Sequence, residues 1–151
     1  MSNISELSLT KIVDGIKKKE FSSEEVTNSF IKNSQQSKKL NTYITECFDD
    51  ALKAAKNFDK GKNNKGLLSG VPLAVKDMFC TKNVKTTAGS KILHNFVPTY
   101  ESTVTKNLWS QGAFLLGKLN CDEFAMGSSN ETSFFGNVKN PYGEKLVPGG
   151  S

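Results

Sequence analysis

A lysine at the end of an apolar run is the first group in this 151-residue sequence with the makings of a catalyst. Lys76 directly follows Leu73-Ala74-Val75, at the C-terminal end of a presumed buried strand, where α/β proteins place their sites. A lysine works as a base only when neutral, so its pKa must fall from about 10.4 toward about 7–8, and burial among apolar groups supplies such a shift. The same spacing also fits an ordinary surface lysine at a strand exit. The second candidate is Val147-Pro148-Gly149-Gly150-Ser151. Two glycines before a serine permit backbone geometries closed to other residues and let another group approach the main chain. Taken alone, the same residues also read as a flexible tail. A third segment, Asp122-Glu123-Phe124-Ala125-Met126-Gly127-Ser128-Ser129-Asn130-Glu131, mixes acids, hydroxyls and glycine. On a helix Asp122 and Glu123 point about 100° apart and make no facing carboxylate pair, so a capped turn followed by a polar loop accounts for the spacing better.

Several other chemistries are excluded. Gly112-Ala113-Phe114-Leu115-Leu116-Gly117-Lys118 matches G-x-x-x-x-G-K, but Leu119 stands where Ser or Thr is required. The residues between the glycines are apolar and strand-like, so no phosphate-cradling loop is expected. His94 is the only histidine, which rules out a His-cluster metal site, and Ile92-Leu93-His94-Asn95 offers no partner for a serine triad. Cys47, Cys80 and Cys121 are dispersed and odd in number, which argues against a disulfide framework and a structural zinc and for buried small side chains.

The formal charge is +5 and every cation is a lysine. Without arginine or an RNA-reading aromatic motif, the scattered lysines read as solvated faces rather than a nucleic-acid footprint. The 36% hydrophobic and 23% charged shares are those of a globular protein with one ordinary core. No run approaches the roughly 18 apolar residues of a membrane span. The N-terminal stretch carries acids and lacks an apolar h-region and arginine, so a cytoplasmic address is expected.

The elements that must position these groups divide the chain at about residue 60. Residues 1–60 read as helical. Leu9, Ile12, Val13 and Ile16 form one stripe. Ser22 and Glu25 make a capping box, with Phe21 placed to staple onto Val26. Thr42 to Thr45 suggests a short strand, and Thr45 a cap for a third helix with Phe48, Ala51, Ala55 and Phe58 on one face. Gly61 to Gly66 is a polar loop. Residues 61–151 then read as α/β: a strand over Gly70–Val75, a helix opened by Ser102, carrying Val104 and Leu108 and closed by Gly112, and a second strand over Ala113–Leu116. A short helix is expected at Asp122 to Met126.

Taken in order, Gly70-Val71-Pro72-Leu73-Ala74-Val75-Lys76-Asp77, Thr86-Thr87-Ala88-Gly89-Ser90, Gly112-Ala113 through Gly117-Lys118, Asn120, Glu123-Phe124-Ala125, Asn140-Pro141 and Pro148-Gly149-Gly150-Ser151 resemble the amidase-signature family. Two departures are Met78-Phe79 after Lys76-Asp77, and Lys118-Leu119-Asn120 in place of the family's usual Lys-Thr-Asn; neither touches a catalytic position. The resemblance implies the first part of an α/β domain with a mixed sheet flanked by helices. It also implies a Ser–cis-Ser–Lys set in which Lys76 is the base and Ser151 the bridging serine. The family's nucleophilic serine and oxyanion hole come later than Ser151, so residues 1–151 are expected to be inactive alone.

Within the family, Asp122 through Ser129 is similar to the tRNA-dependent amidotransferase branch. That likeness implies glutamine as amide donor, a pocket lined by Met126, Gly127 and Ser128, and the B and C subunits of such a complex as partners. The ammonia would amidate glutamate mischarged on tRNA(Gln), with ATP and Mg held by the partner and no cofactor in this chain. The competing readings are a stand-alone amidase for another small amide and a non-catalytic truncated module.

Overall fold

The computed structural model describes residues 4–61 and 66–150. Contacts divide the chain into two compact units, one of residues 1–36, 47–73 and 106–116, the other of residues 37–46, 74–105 and 117–151.

The first unit is built on helices α1 (Leu9–Lys18), α2 (Ser23–Gln36) and α3 (Phe48–Asp59). Ser8 caps α1 by accepting from the Lys11 N–H at 3.3 Å, and Lys19 ends it with a left-handed backbone. Ile12 and Ile16 are buried as the stripe predicts, but Leu9 at the fringe stays 47% exposed. The capping box is present: the Glu25 N–H donates to Ser22 Oγ at 3.1 Å and the Ser22 N–H to Glu25 Oε2 at 2.7 Å. These bonds hold the Glu25 carboxyl below its usual range. Phe21 packs against a core of Ile12, Ile16, Val26 and Val71. Asp59, the last residue of α3, accepts from the Ser23 and Glu24 N–H groups at 3.0 and 2.9 Å, so one helix end neutralises the dipole of another.

Strands β1 (Tyr43–Glu46), β2 (Pro72–Lys76) and β3 (Phe114–Leu119) form one sheet in the order β1-β3-β2. β1 runs antiparallel to β3, with Thr45 opposite Lys118. β2 and β3 are parallel: the Phe114 N–H donates to Val71 O at 3.1 Å, and further along the Asp77 N–H donates to Leu119 O at 2.9 Å. The crossover between them carries α4 (Thr103–Ser110), capped by Ser102 Oγ and followed by Gly112 at φ +87°. The mixed sheet with helices agrees with the α/β expectation.

Two expectations, the Thr45 cap and the short helix near Asp122, are corrected. Thr45 does not cap α3, because pairing with Lys118 holds it in β1; Cys47 takes the cap position without a side-chain capping bond, and Thr45 Oγ1 is buried without a hydrogen-bond partner. On α4 the buried position is Thr105 rather than Val104, which is 45% exposed. The Thr105 hydroxyl is held by Glu101, Ser102 and the Cys80 carbonyl, and those polar partners set the helix's rotation. The short helix near Asp122 is a single irregular turn, Glu123–Ala125, broken by Phe124 at φ 52°. Of the loop Gly61 to Gly66, residues 62–65 lie outside the described residues.

Val26, fully buried in the first core, is expected to cost about 2 kcal/mol on truncation to Ala, against less than about 0.5 kcal/mol for Leu9→Ala. Urea midpoints of the two variants check this, and equal losses would contradict the packing described.

Candidate active site

The second unit gathers the sequence's candidates around buried charge. Lys76 closes β2 and is half-buried. The next residue, Asp77, is fully buried, as is Lys118 on β3, and their side chains form an ion pair at 3.4 Å. Lys118 Nζ also donates to the Phe79 carbonyl at 2.9 Å and to Thr86 Oγ1 at 2.7 Å. Asp77 Oδ2 accepts from the Thr87 N–H at 2.8 Å and from Thr87 Oγ1 at 2.5 Å. Oδ1 accepts no hydrogen bond, and the Lys118 ammonium is its compensation. The main chain of Asp77 is fixed as well, since its N–H donates to Leu119 O and its carbonyl accepts from the Ala88 N–H. Strand alternation puts Val75 and Asp77 on one face and Lys76 on the other. The pair therefore secures the backbone under Lys76 without touching its ammonium.

Cys121 follows shortly after β3 and is 1% exposed. Burial pushes its thiol pKa up, with Lys76 pulling the other way, and Asp77, Asp122 and Lys118 also act on it. Cys47 and Cys80 are half-buried, and none of the three cysteines is in a disulfide. His94 is exposed and its Nδ1 is taken up by the Lys91 carbonyl, so it serves no triad. Gly112 to Lys118 runs into β3 and forms no phosphate loop. Among the described residues no cluster of His, Cys, Asp and Glu is arranged to hold a metal, and no helix is long and apolar enough to cross a membrane.

Asp122 organises the third candidate segment. Its buried carboxylate accepts from the Asn130 N–H at 3.0 Å, the Glu131 N–H at 3.1 Å, the Thr132 N–H at 3.4 Å and Thr132 Oγ1 at 3.0 Å. Burial opposes the charge, but these donors together outweigh it and hold the carboxyl below the usual carboxylate range. Gly127 lies against this group: a Cβ there would fall 2.4 Å from Asp122 Cγ. Gly150 lies against both Ser128 and Asp122, where a Cβ would fall 2.3 Å from the Ser128 backbone and 2.6 Å from Asp122 Oδ2. Met126 and Ser128 are exposed. The structure therefore brings Gly127, Ser128 and Gly150 together around the Asp122 carboxylate. Ser151 lies outside the described residues, as does the peptide that precedes it.

Three residues had no role in the sequence reading: Asp77, Lys118 and Asp122. A signal for Lys118 was present, because Leu116 and Lys118 share one face of a strand and a cation on a buried face needs a partner. The donors to Asp122 come from eight to ten residues further on, a distance at which no local pattern announces a cradle.

Removing Lys118 by Lys118→Ala should leave Asp77 buried and unpaired, at a cost of about 3–5 kcal/mol in denaturant unfolding. Asp122 supplies a pH test. With its pKa lowered on folding, its contribution is present above the unfolded value of about 3.9 and is lost as pH falls through the folded value. Asp122→Asn should thus be less stable than the parent at pH 7, and the difference should shrink below about pH 4. A difference that is constant with pH would contradict the charged cradle.

The sequence model of the family described as Amidase matches residues 25–151. The chain is 66% identical over 151 residues to the A subunit of glutamyl-tRNA(Gln) amidotransferase from Pelagibacter ubique (strain HTCC1062), covering 100% of this chain and 31% of that protein. It is 52% identical over 158 residues to the A subunit of the same enzyme from Zymomonas mobilis, covering 100% and 32%. It therefore spans about a third of the length of the curated relatives it matches. Among solved structures, the glutamyl-tRNA(Gln) amidotransferase A subunit from Thermotoga maritima superposes with a TM-score of 0.79 at 27% identity, over 100% of this chain and 31% of that one. Fatty acid amide hydrolase superposes with a TM-score of 0.89 at 26% identity, over 98% and 27%. With its motifs in the family's order and a family match over most of its length, the chain belongs to the amidase-signature family.

Proposed function

We propose that this chain is part of the glutamine-hydrolysing subunit of a glutamyl-tRNA(Gln) amidotransferase. The observation that carries the reading is identity of 66% over the whole chain to an A subunit of that enzyme, with further A subunits at 50–52%. The placement of Lys76 at the C-terminal end of a parallel strand suits a base, and the chemistry of the site follows from that role.

In the proposed mechanism the family's nucleophilic serine passes its proton to Ser151, which passes one to neutral Lys76. The serine oxygen then attacks the side-chain amide carbon of glutamine. The same relay returns a proton to the amide nitrogen, so that ammonia leaves and an acyl-enzyme remains for water to hydrolyse. Met126, Gly127 and Ser128 are assigned to the glutamine pocket, and the exposure of Met126 and Ser128 leaves both accessible to a ligand. Ammonia is then consumed on a partner subunit, where ATP and Mg activate glutamate carried by tRNA(Gln). The complex would join this protein to the B and C subunits and work in the cytoplasm.

In the complete protein with its partners, Lys76→Ala should lower glutamine hydrolysis by about 10²–10⁴-fold. Amidation of the mischarged tRNA with added ammonium chloride should persist, because free ammonia bypasses the relay. Undiminished glutamine hydrolysis would refute the role of Lys76. Ready turnover of other small amides without partner subunits would favour a stand-alone amidase.

A further inference from the structure

Asp122 does more than brace its own loop. On one side its carboxylate is locked by the Asn130, Glu131 and Thr132 donors, which leave it a single orientation. On the other it fills the space that a side chain at Gly127 would need, with Cγ, Oδ1 and Oδ2 at 2.4, 2.5 and 2.7 Å from a Cβ placed there. At Gly150 the same carboxylate, through Oδ2, and the Ser128 backbone together exclude a Cβ. Neither Gly127 nor Gly150 has a positive φ, whereas Gly149 does at 101°. Backbone conformation therefore demands glycine only at 149. At 127 and 150 the demand is for space, and Asp122 is the group common to both.

We propose that Asp122 is a positioning residue for amide hydrolysis. Its carboxylate sets the separation between the Gly127–Ser128 backbone and Gly150, the residue before Ser151 in sequence. This rests on the assignment of Ser151 to the proton relay and of Gly127 and Ser128 to the pocket. The aspartate takes no part in proton transfer to substrate. It holds two stretches of main chain, distant in sequence, at one spacing. A methyl group at Gly127 would push the carboxylate off its donors or push the Ser128 loop away from Gly150, and either movement misaligns substrate and relay.

A double-mutant cycle on the complete amidotransferase tests this, reading kcat and KM for glutamine hydrolysis with thermal unfolding in parallel. Gly127→Ala and Asp122→Ser alone should each lower kcat/KM by roughly tenfold to a hundredfold. The double variant should be no worse than Asp122→Ser alone, because the smaller side chain vacates the volume that the new methyl occupies. Losses in kcat/KM that simply multiply would overturn the proposal, as would coupling seen in unfolding but absent from kcat/KM. If Asp122→Ser does not fold, Asp122→Asn, of equal size, should still lower kcat/KM about tenfold, and an unchanged value would overturn it. Lys76→Ala, measured alongside, separates the two ideas. Full loss there with an unchanged Asp122 series defeats only the positioning role, whereas undiminished hydrolysis there defeats the relay itself.

Discussion

Lys118 places an ammonium group on the middle strand of the sheet with none of its side chain open to water, and Asp77 supplies the carboxylate that makes this tolerable. Desolvating two charges costs several kcal/mol each, and their attraction offsets it only when the remaining donors and acceptors are also met. Lys118 meets that condition through the Phe79 carbonyl and the Thr86 hydroxyl, and Asp77 through both donors of Thr87. An apolar pair of the same volume would fill the space equally well. It would not carry directional bonds telling residues 79–88 where to run. The backbone that presents Lys76 depends on that path.

Around this pair the chain accepts unfavourable backbone. Ala88, Phe124, Ala125 and Asn130 have φ values of 50–59°, a region in which side chains other than Gly and Asn are uncommon. Three of them are tied by main-chain bonds: the Phe124 N–H donates to Ala88 O, and the Ala125 N–H to Asp122 O. The cost of such residues, on the order of 1 kcal/mol or more each, persists only where the surroundings over-determine them. Here the surroundings are main-chain bonds to Asp77, Ala88 and Asp122 and, for Asn130, the Asp122 carboxylate. The first unit is ordered differently, by an apolar core and helix caps, and holds none of the candidate catalytic groups.

The two carboxylates divide the work between them. Asp77 fixes the strand end that bears Lys76, and Asp122 packs against the Gly127–Ser128 loop and Gly150. Cys121, between β3 and Asp122 in sequence, is buried, and Lys76, Asp77, Lys118 and Asp122 all act on its thiol. The glycines beside Asp122 serve close approach more than flexibility.

Much of this was open to reading in the residues. The stripe of α1, the Ser22–Glu25 box, the two parallel strands and the family motifs are local patterns, and local patterns survive into the fold because nearest-neighbour geometry alone generates them. What failed had distant partners. Thr45 belongs to a strand because Lys118 lies opposite, and the turn at Glu123 bends because Phe124 bonds to Ala88. The sequence by itself determined the helices, the strands and the identity of the candidate base. Only the tertiary structure decided which charges are buried together and which glycines are obligatory, because both depend on groups that contact order, not sequence order, brings within bonding distance.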